Sequence, residues 1–321
     1  MKQEPPSGGE VPAPDVLVIG AGPAGLTAGM YLARYRRRVT IVHDGSSRAL
    51  WVPRSRNVPG FPDGIVGSDL IARMSGHAVR YGAGIAEGRV VEIARGKNGA
   101  GFRARLEGGA TVEARGLILA TGVDTRLATL DSGDHAAAVR SGVLRYCPIC
   151  DGYEHSRERI AVLGSDIHGA AEAMFLRQYS SDVTLIPKWQ VALTAAQRAE
   201  LDASGVDVVD GQVLRLDAED KAMRVTLEGE AAPRRFDVLY PAFGSTPRSE
   251  LAAMLGPLTD PDDCLPFTAF SDGLLPGVYA AGDVVAGLDQ ISVATGQGAM
   301  AATRLHNWLR EQEGHVMADR K

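Results

Sequence analysis

The sequence predicts an α/β protein built from two doubly wound domains of the dinucleotide-binding type, the second inserted into the first. Three observations predict this. An approximate repeat runs through the chain at an offset of 144 residues. Each copy alternates strand-like and helix-like apolar patterns, the signature of a parallel sheet with crossover helices. Further strand-like runs, which complete the first copy's sheet, lie on both sides of the second copy.

Residues 15–44 read DVLVIGAGPAGLTAGMYLARYRRRVTIVHD, and residues 159–188 read RIAVLGSDIHGAAEAMFLRQYSSDVTLIPK. They align without a gap. Gly20 pairs with Gly164, Gly25 with Gly169, Tyr35 with Tyr179, Val39 with Val183 and Thr40 with Thr184. Each copy holds an apolar run of strand length, a glycine turn, a small-residue helix and a second β-branched run. That is a βαβ unit, twice.

The first copy carries Gly20-Ala21-Gly22-Pro23-Ala24-Gly25 between a strand and a helix. In that context the pattern reads as a Rossmann-like dinucleotide site. Gly20 permits the tight turn, Gly22 lets the backbone approach a pyrophosphate, and Gly25 lets helix and strand pack closely. Pro23 and Ala24 open the helix whose N-terminus receives the charge. Asp44 follows Gly25 by 19 residues, where an acid can hold a ribose hydroxyl. The competing reading is a glycine-rich turn that serves helix packing alone.

In the second copy Asp166 stands where the first has Gly22, and Lys188 stands where the first has Asp44. A carboxylate facing a pyrophosphate is repulsive and blocks close approach. A lysine could meet a 2′-phosphate and so favours NADP over NAD. The carboxylate weighs more, so the second copy reads as a retained fold that binds a nicotinamide cofactor poorly or not at all.

Residues 116–122, GLILATG, form a buried-strand pattern closing on Thr121-Gly122. Residues 277–284, GVYAAGDV, form another, closing on Gly282-Asp283. Gln290-Ile291-Ser292 and a helix-like stretch follow. An acid after a strand and glycine can hold a sugar-like hydroxyl, and a helix starting near Gln290 would turn its positive end toward an electron-rich ring. Taken singly, each reads as a strand-end turn. FDVLYPAFGSTPR, residues 236–248, is the return between domains. The expected division is a flexible tail over 1–14, a cofactor domain over 15–121 and 246–321, and an inserted domain over 122–245.

Composition narrows the class. Hydrophobic residues make up 45% and charged residues 23%, enough apolar surface to fold. Glycine contributes 38 of 321 residues without a three-residue period, which excludes collagen. A net charge of −5 with interspersed signs argues against nucleic acid as a partner. No apolar run is long enough to span a membrane, and the first residues lack the apolar stretch of a secretory signal. The expected location is the cytoplasm.

The three cysteines are Cys147, Cys150 and Cys264. Cys147-Pro148-Ile149-Cys150-Asp151-Gly152 immediately precedes the second βαβ unit. This pair reads as a redox dithiol: one thiolate attacks a disulfide and the other resolves the mixed disulfide. Asp151 could move the accompanying proton. The rivals are inert thiols and half a zinc site, for which His155 with Cys264 is a poor complement. Metal is therefore not expected.

These motifs, in this order, resemble those of the low-molecular-weight thioredoxin reductases and their flavoprotein relatives. The likeness runs from about residue 15 nearly to the end. It includes Asn57-Val58-Pro59-Gly60, similar to a flavin-contact segment of that family. The resemblance implies FAD at the first glycine turn, a homodimer, and electrons passing between flavin and the Cys147–Cys150 pair. It implies that Cys150 faces the flavin, that Cys147 attacks a thioredoxin-like or small disulfide partner, and that Asp151 is the acid/base. It also implies a rotation between the domains.

Three departures stand out. The middle glycine of the second turn is Asp166. The basic run that grips the NADPH phosphate is reduced to Pro187-Lys188-Trp189-Gln190. The arginine that usually precedes the Gln290 position is Asp289. The first two argue against NADPH. Relatives without NADPH take electrons from ferredoxin or an unknown donor, or run in reverse as dithiol oxidases using oxygen. A flavin redox sensor of low turnover is the third alternative.

Overall fold

A computed structural model describes residues 13–96, 99–189, 192–219, 221–256, 264–315 and 317. Most of the expected tail, and Gln190 of the reduced basic run, lie outside these residues. Two compact units emerge. The first comprises the described residues up to Leu50, Ser68–Val123 and those from Pro247 onward; the second comprises Trp51–Gly67 and Asp124–Thr246. The sequence reading kept 51–67 with the first unit, whereas the contacts group it with the second.

In chain order the elements begin with β1 (Val16–Ile19), α1 (Pro23–Arg34), β2 (Val39–His43), α2 (Gly67–Arg80) and β3 (Gly84–Glu87). A meander follows, β4 (Val90–Arg95), β5 (Phe102–Leu106) and β6 (Thr111–Ala114), and then β7 (Gly116–Leu119) and β8 (Val123–Thr125). Next come α3 (His135–Ser141), α4 (Pro148–Asp151), β9 (Ile160–Leu163), α5 (Ile167–Leu176), β10 (Val183–Ile186), α6 (Ala195–Ala203) and β11 (Asp207–Val208). A second meander is β12 (Val213–Glu219), β13 (Ala222–Leu227) and β14 (Arg234–Phe236). The chain ends with β15 (Val238–Pro241), β16 (Ser245–Pro247), α7 (Glu250–Ala253), β17 (Val278–Ala280) and α8 (Ile291–Gln312).

The first unit is organised by a parallel sheet of order β17-β7-β1-β2-β3, and the second by one of order β11-β10-β9-β15. The strands read as continuous apolar runs because both faces are covered. Val16, Leu17 and Val18 of β1, and every residue of β9, are wholly buried. The repeat reappears as hydrogen-bond register. Val16 pairs with Val39 and Ile19 with Val42 in the first sheet; Ile160 pairs with Val183 and Leu163 with Ile186 in the second. All four pairs sit at the same offset of 144 residues seen in the sequence. The architecture is therefore two Rossmann-type α/β units, as expected.

The return expected over 236–248 contains β15, which joins the second sheet by pairing parallel to β9. The long C-terminal helix starts one residue after Gln290, its N-cap. Its far end is tied back to the start of the unit. Arg37 donates to both carboxylate oxygens of Glu313, at 2.6 and 2.9 Å, and Arg115 donates to one of them at 2.6 Å. Those two arginines hold the Glu313 carboxyl down at about 2.

Candidate active site

The turn after β1 is built for an anion. Gly20 has φ +110°, and a Cβ there would lie 2.1 Å from the carbonyl oxygen of Ala120. A Cβ on Gly25 would lie 1.9 Å from the oxygen of Gly20. Neither position tolerates a side chain without moving backbone. Gly22 is the N-cap of α1 and makes no side-chain cap bond, and Pro23 occupies the first turn. Such a helix end presents its backbone N–H groups and positive dipole to a ligand. Ala24 and Gly25 are buried in that turn. These residues fit the pyrophosphate of FAD.

Asp44 lies just past β2. Its Oδ1 accepts from the backbone N–H of Ser46 at 3.1 Å and from the Ser46 hydroxyl. Arg248 donates to that hydroxyl at 2.6 Å. Partial burial raises the pKa of Asp44, but the Ser46 bonds and the Arg248 charge outweigh it and leave the carboxyl below its usual range. An acid held ionised in this way remains an acceptor for a ribose hydroxyl. Thr121 donates its hydroxyl to the carbonyl of Arg248 at 2.7 Å, and the N–H of Arg248 bonds the carbonyl of Gly122 at 3.0 Å. Gly282 and Asp283 follow β17, and Gln290 and Ile291 open α8. Asn57 lies on segment 51–67, which groups with the second unit, and its Oδ1 accepts from Ser55 at 2.9 Å.

Cys147 and Cys150 form a disulfide with their Cα atoms 5.3 Å apart. The short helix α4 sets that spacing. Cys147 is its N-cap in extended conformation, Pro148 starts it, and the N–H of Cys150 bonds the carbonyl of Cys147 at 3.0 Å. Ile149 and Tyr153 stand exposed beside the pair. Cys264 lies outside the disulfide.

Asp151 closes the same turn, and both of its oxygens are engaged. Tyr240 on β15 donates its hydroxyl to Oδ1 at 2.8 Å, and the Arg145 guanidinium lies 3.2 Å from Oδ2. The His155 ring stands edge-on to Tyr240, with Nδ1 2.6 Å from Glu158. Burial raises the Asp151 pKa and prevails over Arg145 and Tyr240, which pull it down. A carboxylate with a raised pKa, next in sequence to a disulfide cysteine, is suited to exchanging a proton. A Tyr240→Phe variant leaves Oδ1 without its donor. The Asp151 pKa should rise further, shifting the limb of the pH–rate profile that it governs to higher pH. The fold should lose about 1–3 kcal/mol in urea unfolding.

The second glycine turn is already filled. Asp166 is the N-cap of α5, and its Oδ1 accepts from the N–H groups of His168 and Gly169 at 3.0 and 3.3 Å. Slight burial raises its pKa, but these two N–H bonds prevail and lower it. Next to it, the loop after β10 is stitched onto the turn. Trp189 donates its N–H to the Ser165 hydroxyl at 3.0 Å, and Ala192 donates to the Ser165 carbonyl at 2.7 Å. Lys188 places its ammonium over two rings, 5.0 Å from that of Trp189 and 4.5 Å from that of Phe243.

Residues 14–298 match the pyridine nucleotide-disulphide oxidoreductase family. The chain belongs to that family. The thioredoxin reductase of Listeria monocytogenes is 29% identical over 316 residues, covering 95% of this chain and 97% of that protein. The crystal structure of HlmI superposes with a TM-score of 0.85 at 31% identity over 94% of each chain. Thioredoxin reductase from Streptococcus pyogenes MGAS5005 superposes with a TM-score of 0.84 at 26% identity, over 93% of this chain and 98% of that one. This member of the family is a thioredoxin reductase-like, FAD-dependent disulfide oxidoreductase. No helix among its described residues is long and apolar enough to cross a membrane.

Four residues that matter to these sites were missed from the sequence. Arg145 is two places before Cys147, and an arginine so near a buried acid could have been noticed. Tyr240 is the sole aromatic in its strand, a weaker signal. Arg48 and Arg248 carry none, because their partners lie 235 residues or more, and 202 residues, away along the chain.

Proposed function

We propose that the enzyme passes electrons between FAD and the Cys147–Cys150 pair, and on to a thioredoxin-like protein or a small disulfide. The observation that carries this reading is the closed Cys147–Cys150 disulfide beside buried Asp151. In the reduced pair, the Cys147 thiolate attacks a partner disulfide and releases one partner thiolate. Cys150 then attacks the mixed disulfide at Cys147, which re-forms the Cys147–Cys150 bond and frees the second partner thiolate. The partner gains two electrons and the enzyme pair loses two. Asp151 takes the proton from the Cys150 thiol as it attacks and passes it to a released partner thiolate. FAD, held by the Gly20–Gly25 turn, Asp44 and Asp283, supplies two-electron redox chemistry when bound. The names of the thioredoxin reductase relatives support the choice of partner.

NADPH is a poor electron donor in this reading, and ferredoxin or another donor takes its place. Three features support it: Asp166 occupies the N–H groups that a pyrophosphate would need, Ser165 is bonded to the adjoining loop, and Lys188 is engaged with aromatic rings. The residues of the second turn do not fit a dinucleotide. Anaerobic mixing with NADPH or NADH should bleach the flavin band slowly and incompletely. Rapid stoichiometric bleaching by NADPH would overturn the donor assignment. Enzyme reduced chemically should still deliver two thiols per active site to thioredoxin. The same filled turn favours a second reading in which a small dithiol reduces the enzyme and oxygen accepts the electrons. Oxygen uptake on adding a dithiol separates the two.

A further inference from the structure

Asp289, just before the N-cap of α8, receives a guanidinium from far along the chain. Arg48, on the turn after β2, reaches Asp289 Oδ2 at 3.0 Å and Asp283 Oδ2 at 3.5 Å. All three side chains are largely buried, at 29%, 22% and 31% exposure for Arg48, Asp283 and Asp289. Asp283 is firmly placed. The N–H of Gly282 before it donates to buried Gln297 at 2.8 Å. A Cβ on Gly282 would lie 2.9 Å from that of Ala24, so this backbone rests against the first turn of α1. The acid thus stands beside the glycine seat of the first unit.

Two buried carboxylates this close disfavour each other's ionisation. Burial and Asp289 raise Asp283, Arg48 lowers it, and the balance stands at about 6. The first turns of α1 and α8, which flank it, carry no charged side chain. Arg48 is therefore the one described cation bearing on this acid. A charge-assisted hydrogen bond is roughly twice as strong as a neutral one, so the ionisation of Asp283 matters to whatever hydroxyl it receives.

We propose that Arg48 is a positioning residue for the flavin: by bridging Asp289 and Asp283, it keeps Asp283 an anion that accepts from a hydroxyl of bound FAD. This rests on the reading of the first glycine turn as the FAD seat.

The test uses holoenzyme diluted into buffers from about pH 5.5 to about pH 9, with FAD release followed by the recovery of free-flavin fluorescence. Arg48→Ala should raise the FAD Kd about tenfold near pH 7, where wild-type Asp283 is ionised and the variant's is protonated. The gap should narrow toward pH 9, where Asp283 ionises unaided. Asp289→Asn removes the like charge and leaves Arg48 to Asp283 alone, so affinity should persist to lower pH than in wild type. Arg48→Lys should retain most of the affinity. An Arg48→Ala Kd equal to wild type at every pH overturns the proposal, as does a loss of the same size at every pH. A wild type that holds no FAD overturns the seat assignment together with it.

Discussion

A Gly20→Ala chain should hold no FAD and should unfold with about 2–5 kcal/mol less stability than wild type. Two costs act at one atom. Gly20 sits at φ +110°, where an L-residue is strained, and the added methyl would meet the Ala120 carbonyl oxygen at 2.1 Å. That oxygen belongs to backbone and cannot swing aside. Any relief must move the ends of β1 and β7, which lie side by side in the parallel sheet. The turn would then open, and the N–H groups of α1 would no longer converge on a pyrophosphate. Flavin content after gel filtration and urea unfolding together check this. A yellow, equally stable Gly20→Ala protein would mean that the turn is softer than its geometry implies. Gly22→Ala offers a contrast, because its Cβ would only touch the Ser47 hydroxyl at 3.4 Å. It should fold normally and lose affinity for FAD alone.

Cys147→Ser should lower disulfide turnover at least about a thousandfold, since the attacking thiolate is gone and no neighbour replaces it. The fold should be unharmed, because a disulfide that closes so short a loop restrains little of the unfolded chain. The remaining thiolate at Cys150 should then add a broad long-wavelength absorption to the flavin spectrum. That band should fade at low pH as the thiolate protonates. Cys150→Ser should lose turnover equally and lack the band. If the band appears in the Cys150→Ser protein instead, the two roles are reversed. If Cys147→Ser reduces disulfides at the wild-type rate, the pair is not the redox centre.

Much of the fold was legible because its signals are local and repeated. The paired glycines and β-branched runs at a fixed offset reappear as strand register, residue for residue. The helix after Gln290 was legible for the same reason. Asp166 was read as a charge that repels a phosphate. The structure adds that this side chain caps α5, a role to which aspartate is well suited and which its place before the helix would have suggested. What stayed hidden depends on distant partners. Tyr240 meets Asp151 across 89 residues, and Arg48 meets Asp289 across 241. Segment 51–67 has no periodic pattern to say which unit it joins.

The contrast between the two helix starts reaches beyond catalysis. The first unit leaves its α1 N-cap without a side-chain bond, so an anion bound there would complete its backbone hydrogen bonding. The second supplies the equivalent oxygen from its own Asp166. By mass action, a ligand that binds only the folded state adds stability that grows with its concentration relative to Kd. Flavin bound at that turn would add stability to the first unit, whereas the second turn needs no ligand to cap its helix.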